Sequence, residues 1–162
     1  MLPRAKFGAL PYQNTPTKHI STALKLITKH TTTPLSGSSF IDLGSGLGEA
    51  TLQAAPHFAK SYGVEINPTL LYASKFKAWR AGTPNAFFSS DNLVTLPLSP
   101  YHVIFMFGVK PLLQTLTPKL RTEVKKDSLV VLYRFKLGTE LIDEKHFEIV
   151  EREGEITVYR RL

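Results

Sequence analysis

The chain has 162 residues, 43% hydrophobic and 20% charged, with a formal net charge of +7 and no cysteine. This balance suits one folded domain covering residues 1–162 and excludes disordered, collagen-like and coiled-coil classes, while the lack of cysteine excludes disulfide scaffolds, thiolate zinc sites and cysteine nucleophiles. The longest apolar run, Val103 to Val109, is far below the roughly 20 residues that cross a bilayer, so no transmembrane segment is expected.

The elements follow in order from hydrophobic spacing and turn residues. Asn14 or Thr15 can cap a helix with Pro16 in its first turn, and Ile20, Ala23, Leu24 and Ile27 form its apolar stripe. Residues 29–39 read as a polar loop. Ser39 to Leu43 is a short strand that stops at a glycine loop, Gly44 to Gly48. Glu49 to Ala59 is helical in part, with Pro56 bending or ending it. Ser61 to Ile66 is a second strand; Asn67 then caps a helix with Pro68 in its first turn, and Gly82 stops it. Ala86 to Ser90 and Tyr101 to Phe107 are the third and fourth strands. Leu112, Leu113, Leu116 and Leu120 mark helical segments with an expected break at Pro118. Asp127 to Phe135 holds a fifth strand, and His146 to Val150 with Glu155 to Arg161 form a closing hairpin around Gly154. Alternation of strand and helix with nearly continuous apolar strands implies an α/β fold. It is a doubly wound seven-stranded sheet, mostly parallel with an antiparallel edge hairpin.

Charge is spread unevenly. Residues 1–139 carry 16 Lys/Arg against six Asp/Glu, while residues 140–162 carry four against seven. A basic body attracts an anionic membrane surface or nucleic acid, and both attractions weaken with salt. An ordinary solvated surface accounts for it as readily. The first 41 residues hold five Lys/Arg and no acid, a partial likeness to a mitochondrial transit segment that the single Arg4 and the helical pattern oppose.

Ligands of such sheets bind beyond the carboxyl ends of the strands, where strand order reverses. There the first strand ends in Asp42-Leu43-Gly44-Ser45-Gly46-Leu47-Gly48, and glycines allow close backbone approach and positive φ. The second strand ends in Glu65, whose carboxylate can accept hydrogen bonds from a ribose diol. The third is followed by Ser90-Asp91-Asn92, suited to the edge of an adenine. A dinucleotide fingerprint would place glycine or alanine where Glu49 stands, and no P-loop is present. A nucleoside carrying an amino acid fits better, its ammonium near Asp42 and its carboxylate near the loop amides. S-adenosylmethionine has that constitution. The five histidines show no metal-ligand spacing, and no metal is expected.

These segments resemble class I S-adenosylmethionine-dependent methyltransferases with their Rossmann-like sheet, and within them the small protein-lysine methyltransferases of the ATP synthase c-subunit type. Leu10 to Pro16 is similar to the P-Y-x-x-T-P entry of that family, and Phe40 to Gly46 to its first motif. Gly63 to Pro68, Tyr72, Ala78-Trp79-Arg80, Ser90 to Leu93, Val103 to Val109 and Tyr133-Arg134-Phe135 resemble later family segments. The resemblance implies that Asp42, Gly44, Ser45 and Gly46 hold the methionine part of the cofactor. Glu65 and Ile66 would then meet the ribose side, Asp91 and Asn92 the adenine, and Tyr12 and Thr15 would close over it. Phe107, Gly108, Val109 and Tyr133 would form the channel for a target lysine. Leu47 and Glu49 depart from the family pattern, which commonly carries Asp and Arg there.

The implied reaction is methyl transfer from S-adenosylmethionine to the ε-amino group of lysine in a protein, candidate substrates including a membrane protein such as the c-type subunit of ATP synthase. No N-P-P-Y or D-P-P-Y follows strand four, which argues against nucleobase amino groups as acceptors. The alternatives are transfer to RNA or a small molecule, and cofactor binding without catalysis. A mitochondrial location is implied if the source is eukaryotic, and a cytoplasmic one otherwise.

Overall fold

The computed structural model describes residues 15–107, 110–138 and 145–162. Tyr12, Gly108 and Val109, and the entry segment up to Asn14, lie outside the described residues.

Helix α1 (Thr17–His30) buries Ile20, Ala23, Leu26 and Ile27. Leu26 takes the place expected for Leu24, which is half-buried. Pro16, rather than Asn14 or Thr15, stands at the N-cap, and no side chain among the described residues caps the helix. A proline there already fixes φ, and its carbonyl accepts from His19 and Ile20. A short 3-10 turn (Leu35–Gly37) leads to β1 (Ser39–Leu43), followed by α2 (Glu49–Ala54) and β2 (Lys60–Val64). Helix α2 ends ahead of Pro56 as the missing amide predicts.

Helix α3 (Pro68–Arg80) starts as its sequence dictates: the Asn67 side chain accepts from the amides of Thr69 and Leu70, with Pro68 in the first turn. Gly82 follows the helix with φ +62°, a left-handed stop. After β3 (Ala86–Ser89) and β4 (Val103–Phe107) comes α4 (Lys110–Glu123), which runs unbroken through Pro118. The cost of an interior proline is about 3 kcal/mol. Burial of Leu112, Leu113, Leu116 and Leu120 on one face outweighs it. Strands β5 (Leu129–Tyr133), β6 (Phe147–Glu153) and β7 (Ile156–Arg161) complete the sheet.

The strand order is β3-β2-β1-β4-β5-β7-β6. Strands β1 to β5 pair in parallel; β7 lies between β5 and β6 and runs opposite to both. The order reverses between β1 and β4, so the ends of these two strands bound the crevice where ligands of open α/β sheets bind. Side chains alternate between two apolar layers. Phe40, Phe105 and Tyr133 pack on the face covered by α1 and α2, and Ile41, Ile104 and Leu132 on the face covered by α4.

Candidate functional site

The loop after β1 is fastened to β2 by its own backbone. The amides of Gly44 and Ser45 both donate to the Val64 carbonyl at 2.9 Å, and the Gly48 amide donates to the Ser45 carbonyl at 2.7 Å. Gly48 has φ +80°, and a Cβ on it would stand 2.7 Å from the Phe88 ring. Gly63 on β2 is as crowded: a Cβ there would stand 2.7 Å from Phe88, Ser45 Oγ and Thr51 Oγ1. Absence of side chains at both positions is therefore what lets the loop lie flat against β2 and β3.

Glu65 clamps the same loop. Its Oε2 accepts from the Gly46 amide at 2.9 Å and its Oε1 from the Asn67 amide at 2.7 Å. One carboxylate thus ties the tip of the glycine loop to the cap of α3. Each oxygen keeps a lone pair for a further donor. The amides of Gly44, Ser45 and Gly46 are all used within the fold. Ser45 Oγ is the polar atom of the loop left over: it is buried and, among the described residues, has no hydrogen-bond partner.

Asp42 is 5% exposed at the end of β1, paired in register with Gly63 on one side and Phe105 on the other. Among the described residues no donor and no cation reaches its carboxyl. Burial, and secondarily the charge of Glu65, push its pKa from 3.8 up to about 8. This is a buried acid with an unmet demand for a cation. Asp91 and Asn92 lie exposed beyond β3. Asp91 Oδ2 accepts from Ser89 Oγ at 2.6 Å, and Asn92 Oδ1 accepts from the Val94 amide at 3.0 Å, an Asx turn that fixes the loop. Ile66 is half-buried beside Glu65, and Thr15 is buried ahead of α1.

Across the crevice, Phe107 and Tyr133 stand side by side at the ends of β4 and β5, their rings edge to face at 5.3 Å. The His19 ring of α1 lies 4.8 Å from Tyr133. The Tyr133 hydroxyl donates to Glu155 Oε2 at 3.1 Å. Burial and that carboxylate hold the phenol above its ordinary pKa. Arg134, at φ +73°, donates its amide to the Glu155 carbonyl at 2.7 Å and sets its guanidinium 5.7 and 5.6 Å from the ring centres of Phe107 and Tyr133. These rings already hold a cation over their faces. Sequence reasoning missed Gly63, Arg134 and Glu155 as parts of the site; the Gly63-Val64-Glu65 and Tyr133-Arg134-Phe135 runs were the available signals. Glu49 pairs with Lys77 of α3 at 2.5 Å, so the departure from the family pattern serves to tie α2 to α3. No group of three His, Asp or Glu able to hold a metal ion occurs among the described residues. No described helix is long and apolar enough to cross a membrane.

Residues 42–143, a span that opens at Asp42, match the ANTKMT methyltransferase domain. The chain belongs to this family of methyltransferase domains. It is 33% identical over 128 residues to the ATP synthase c-subunit lysine N-methyltransferase of Xenopus laevis, covering 78% of this chain and 54% of that protein. Its likeness to the Caenorhabditis elegans protein of the same name is 31% over 163 residues, 98% of this chain and 84% of the relative. The chain spans about half the length of the vertebrate relatives it matches. Among solved structures it is similar to an RNA methyltransferase from Salinibacter ruber in complex with S-adenosyl-L-homocysteine. That likeness has a TM-score of 0.74 and 26% identity over 92% of each chain.

Proposed function

We propose that this chain transfers a methyl group from S-adenosylmethionine to the ε-amino group of a lysine in a protein substrate. The observation that carries the reading is the pairing of a buried, cation-seeking Asp42 on one side of the switch point with an aromatic pair on the other. The residues fit the cofactor. Asp42 would take its ammonium, the orphaned Ser45 Oγ its carboxylate, the free lone pairs of Glu65 its ribose hydroxyls, and Asp91 with Asn92 its adenine, beside Ile66. Gly44 and Gly46 give it room, and Tyr12 and Thr15 would cover it.

Bound S-adenosylmethionine would supply a sulfonium methyl carbon open to in-line attack by a neutral amine, the N–C bond forming as the S–C bond breaks and S-adenosylhomocysteine leaves. The chain contributes alignment, which for well-placed reactants amounts to roughly 7–11 kcal/mol. Phe107 and Tyr133, with Gly108 and Val109, would guide the lysine. Aromatic surroundings disfavour its charged form and lower its pKa from about 10.4, so the amine can enter neutral. The Tyr133 hydroxyl is turned to Glu155, which suits a wall of the channel that is held in place. The names of the relatives favour a protein of the ATP synthase c-subunit kind as acceptor, and a mitochondrial location if the source is eukaryotic. The basic body suits contact with an anionic membrane surface.

A second reading, transfer to RNA, is favoured by the Salinibacter ruber likeness and the basic body. One experiment separates the two. The protein is titrated calorimetrically with S-adenosylhomocysteine, then incubated with methyl-labelled cofactor and either a membrane-protein extract or total RNA. Label on a lysine-containing protein, located by mass spectrometry, supports the proposal; label on RNA alone replaces it. Absence of cofactor binding removes both.

A further inference from the structure

The outer face of α3 differs from the rest of the surface. Tyr72, Phe76 and Trp79 are 70%, 56% and 76% exposed, whereas large aromatic side chains usually bury most of their area. At about 100° per residue the three rings fall within an arc of roughly 60°, and the rings of Phe76 and Trp79 lie 5.7 Å apart. The buried side of the helix, Leu71 and Ala78 against Phe88, faces the other way. Lys75 flanks the stripe on one side and Arg80 on the other, both exposed. Among the described residues neither has an acidic partner. The helix itself contains no acid, and its third cation, Lys77, is taken by Glu49.

Aromatic rings set between cations suit the boundary of an anionic bilayer. The rings sit at headgroup depth, and long basic side chains reach lipid phosphates while their stems cover apolar surface. We propose that the outer face of α3 is a membrane-docking surface. The helix lies along an anionic bilayer with Tyr72, Phe76 and Trp79 at the headgroup boundary and Lys75 and Arg80 on lipid phosphates. Charge selects this occupant. Two cations without an acidic partner among the described residues rim the rings and no acid opposes them on the helix, whereas a second copy of the chain would bring like charges together. Strand-tracking nucleic-acid sites use basic grooves, and these rings stand on a convex helix. Docking leaves the glycine loop and the β4–β5 rings free, because they lie at the ends of the strands and not on this face. The inference does not depend on the identity of the methyl acceptor.

Trp79 is the only tryptophan, so its fluorescence reports directly on this surface. The full chain is titrated with vesicles of phosphatidylcholine and with vesicles of an equal mixture of phosphatidylcholine and phosphatidylglycerol. A blue shift and co-sedimentation with the mixed vesicles, weakened by salt and largely absent with the neutral ones, are expected. Tyr72→Ser with Phe76→Ser lowers partitioning about tenfold or more, and Lys75→Glu with Arg80→Glu does so by a similar factor. All four side chains are exposed, so both variants keep the melting temperature of the parent. Unchanged Trp79 emission with mixed vesicles overturns the proposal. So does undiminished vesicle binding by either variant, or a shift produced by RNA or by raised protein concentration in place of lipid.

Discussion

Replacing Asp42 by asparagine tests the electrostatic reading of the site in two independent ways. The substitution keeps shape and hydrogen-bonding capacity but removes the carboxyl that burial and Glu65 raise from 3.8 to about 8. In the folded protein this group therefore keeps its proton where the unfolded chain has lost it, so folding takes up a proton between about pH 4 and pH 8. Its contribution to stability is complete below pH 4, declines as pH rises and is gone above about pH 8. A change from 3.8 to about 8 corresponds to roughly 6 kcal/mol over that window. For a chain of this size 1 kcal/mol shifts Tm by about 2–4 °C, so Asp42 alone lowers the parent's Tm by about 10 °C or more between pH 5 and pH 8. Asp42→Asn removes this component, and the difference between the two melting curves, read by scanning fluorimetry across pH, isolates it. On the proposed role of Asp42 the same variant also lacks the acid that would pair with the ligand's ammonium, and its affinity for S-adenosylhomocysteine is expected to fall about 100-fold by calorimetry. Identical pH profiles for parent and variant would refute the buried-acid reasoning, and unchanged affinity would remove Asp42 from the ligand site.

Glu65→Ala releases the amides of Gly46 and Asn67 together and abolishes measurable S-adenosylhomocysteine binding, while Glu65→Gln, which keeps one acceptor oxygen, weakens it by about tenfold. Equal affinities for these two variants, measured by calorimetry, would show that the carboxylate only shapes the loop. Gly63→Ala forces a Cβ to within 2.7 Å of Phe88, Ser45 and Thr51 and costs about 1–3 kcal/mol in denaturant unfolding. Adding Phe88→Leu returns part of that loss; no recovery would mean that the ring is not what blocks the side chain. Tyr133→Phe removes one hydrogen bond to Glu155, about 1 kcal/mol of stability, and changes the methyl-transfer rate by less than about tenfold. A drop in kcat of several hundredfold at constant KM would instead make the phenol the proton acceptor.

The parts of this fold that could be read from one dimension are those set by local chemistry. Asn67-Pro68 and Gly82 bound α3 to the residue because a side-chain cap, a fixed φ and a left-handed stop act within a few positions. The strands were legible as apolar runs ending in acids or glycines. Pro118 misleads because the local penalty is visible in sequence and the burial that overrides it is not. The N-cap of α1 falls at Pro16 and not at Thr15 for the related reason that tertiary packing positions the helix. In the site, Asp42, Glu65, Asp91 and the glycine loop stood out because consecutive strand ends meet on one edge of the sheet. The commitments of these groups were not legible. That Glu65 spends an oxygen on the Gly46 amide, or that Glu155 holds both Tyr133 and Arg134, depends on contacts across 19 to 22 residues that no periodicity encodes.

Those hidden commitments bear on which ligand the proposed site would favour. A phosphate-binding loop offers free backbone amides to an anion at a helix terminus. Here the amides of Gly44, Ser45, Gly46 and Gly48 are all engaged within the fold, and Glu49 places a carboxylate in the first turn of α2. The glycine amides of this loop therefore offer an anion less than those of a phosphate-binding loop do, although the glycine spacing resembles that of nucleotide-binding loops. What remains open is a buried acid to which no described residue brings a counter-charge, and a carboxylate with spare lone pairs. A ligand that brings an ammonium to Asp42 and hydroxyl groups to Glu65 relieves the raised pKa and completes both sets of contacts, and a pyrophosphate does neither. Discrimination between a nucleoside amino acid and a dinucleotide thus rests on where the loop's own hydrogen bonds go.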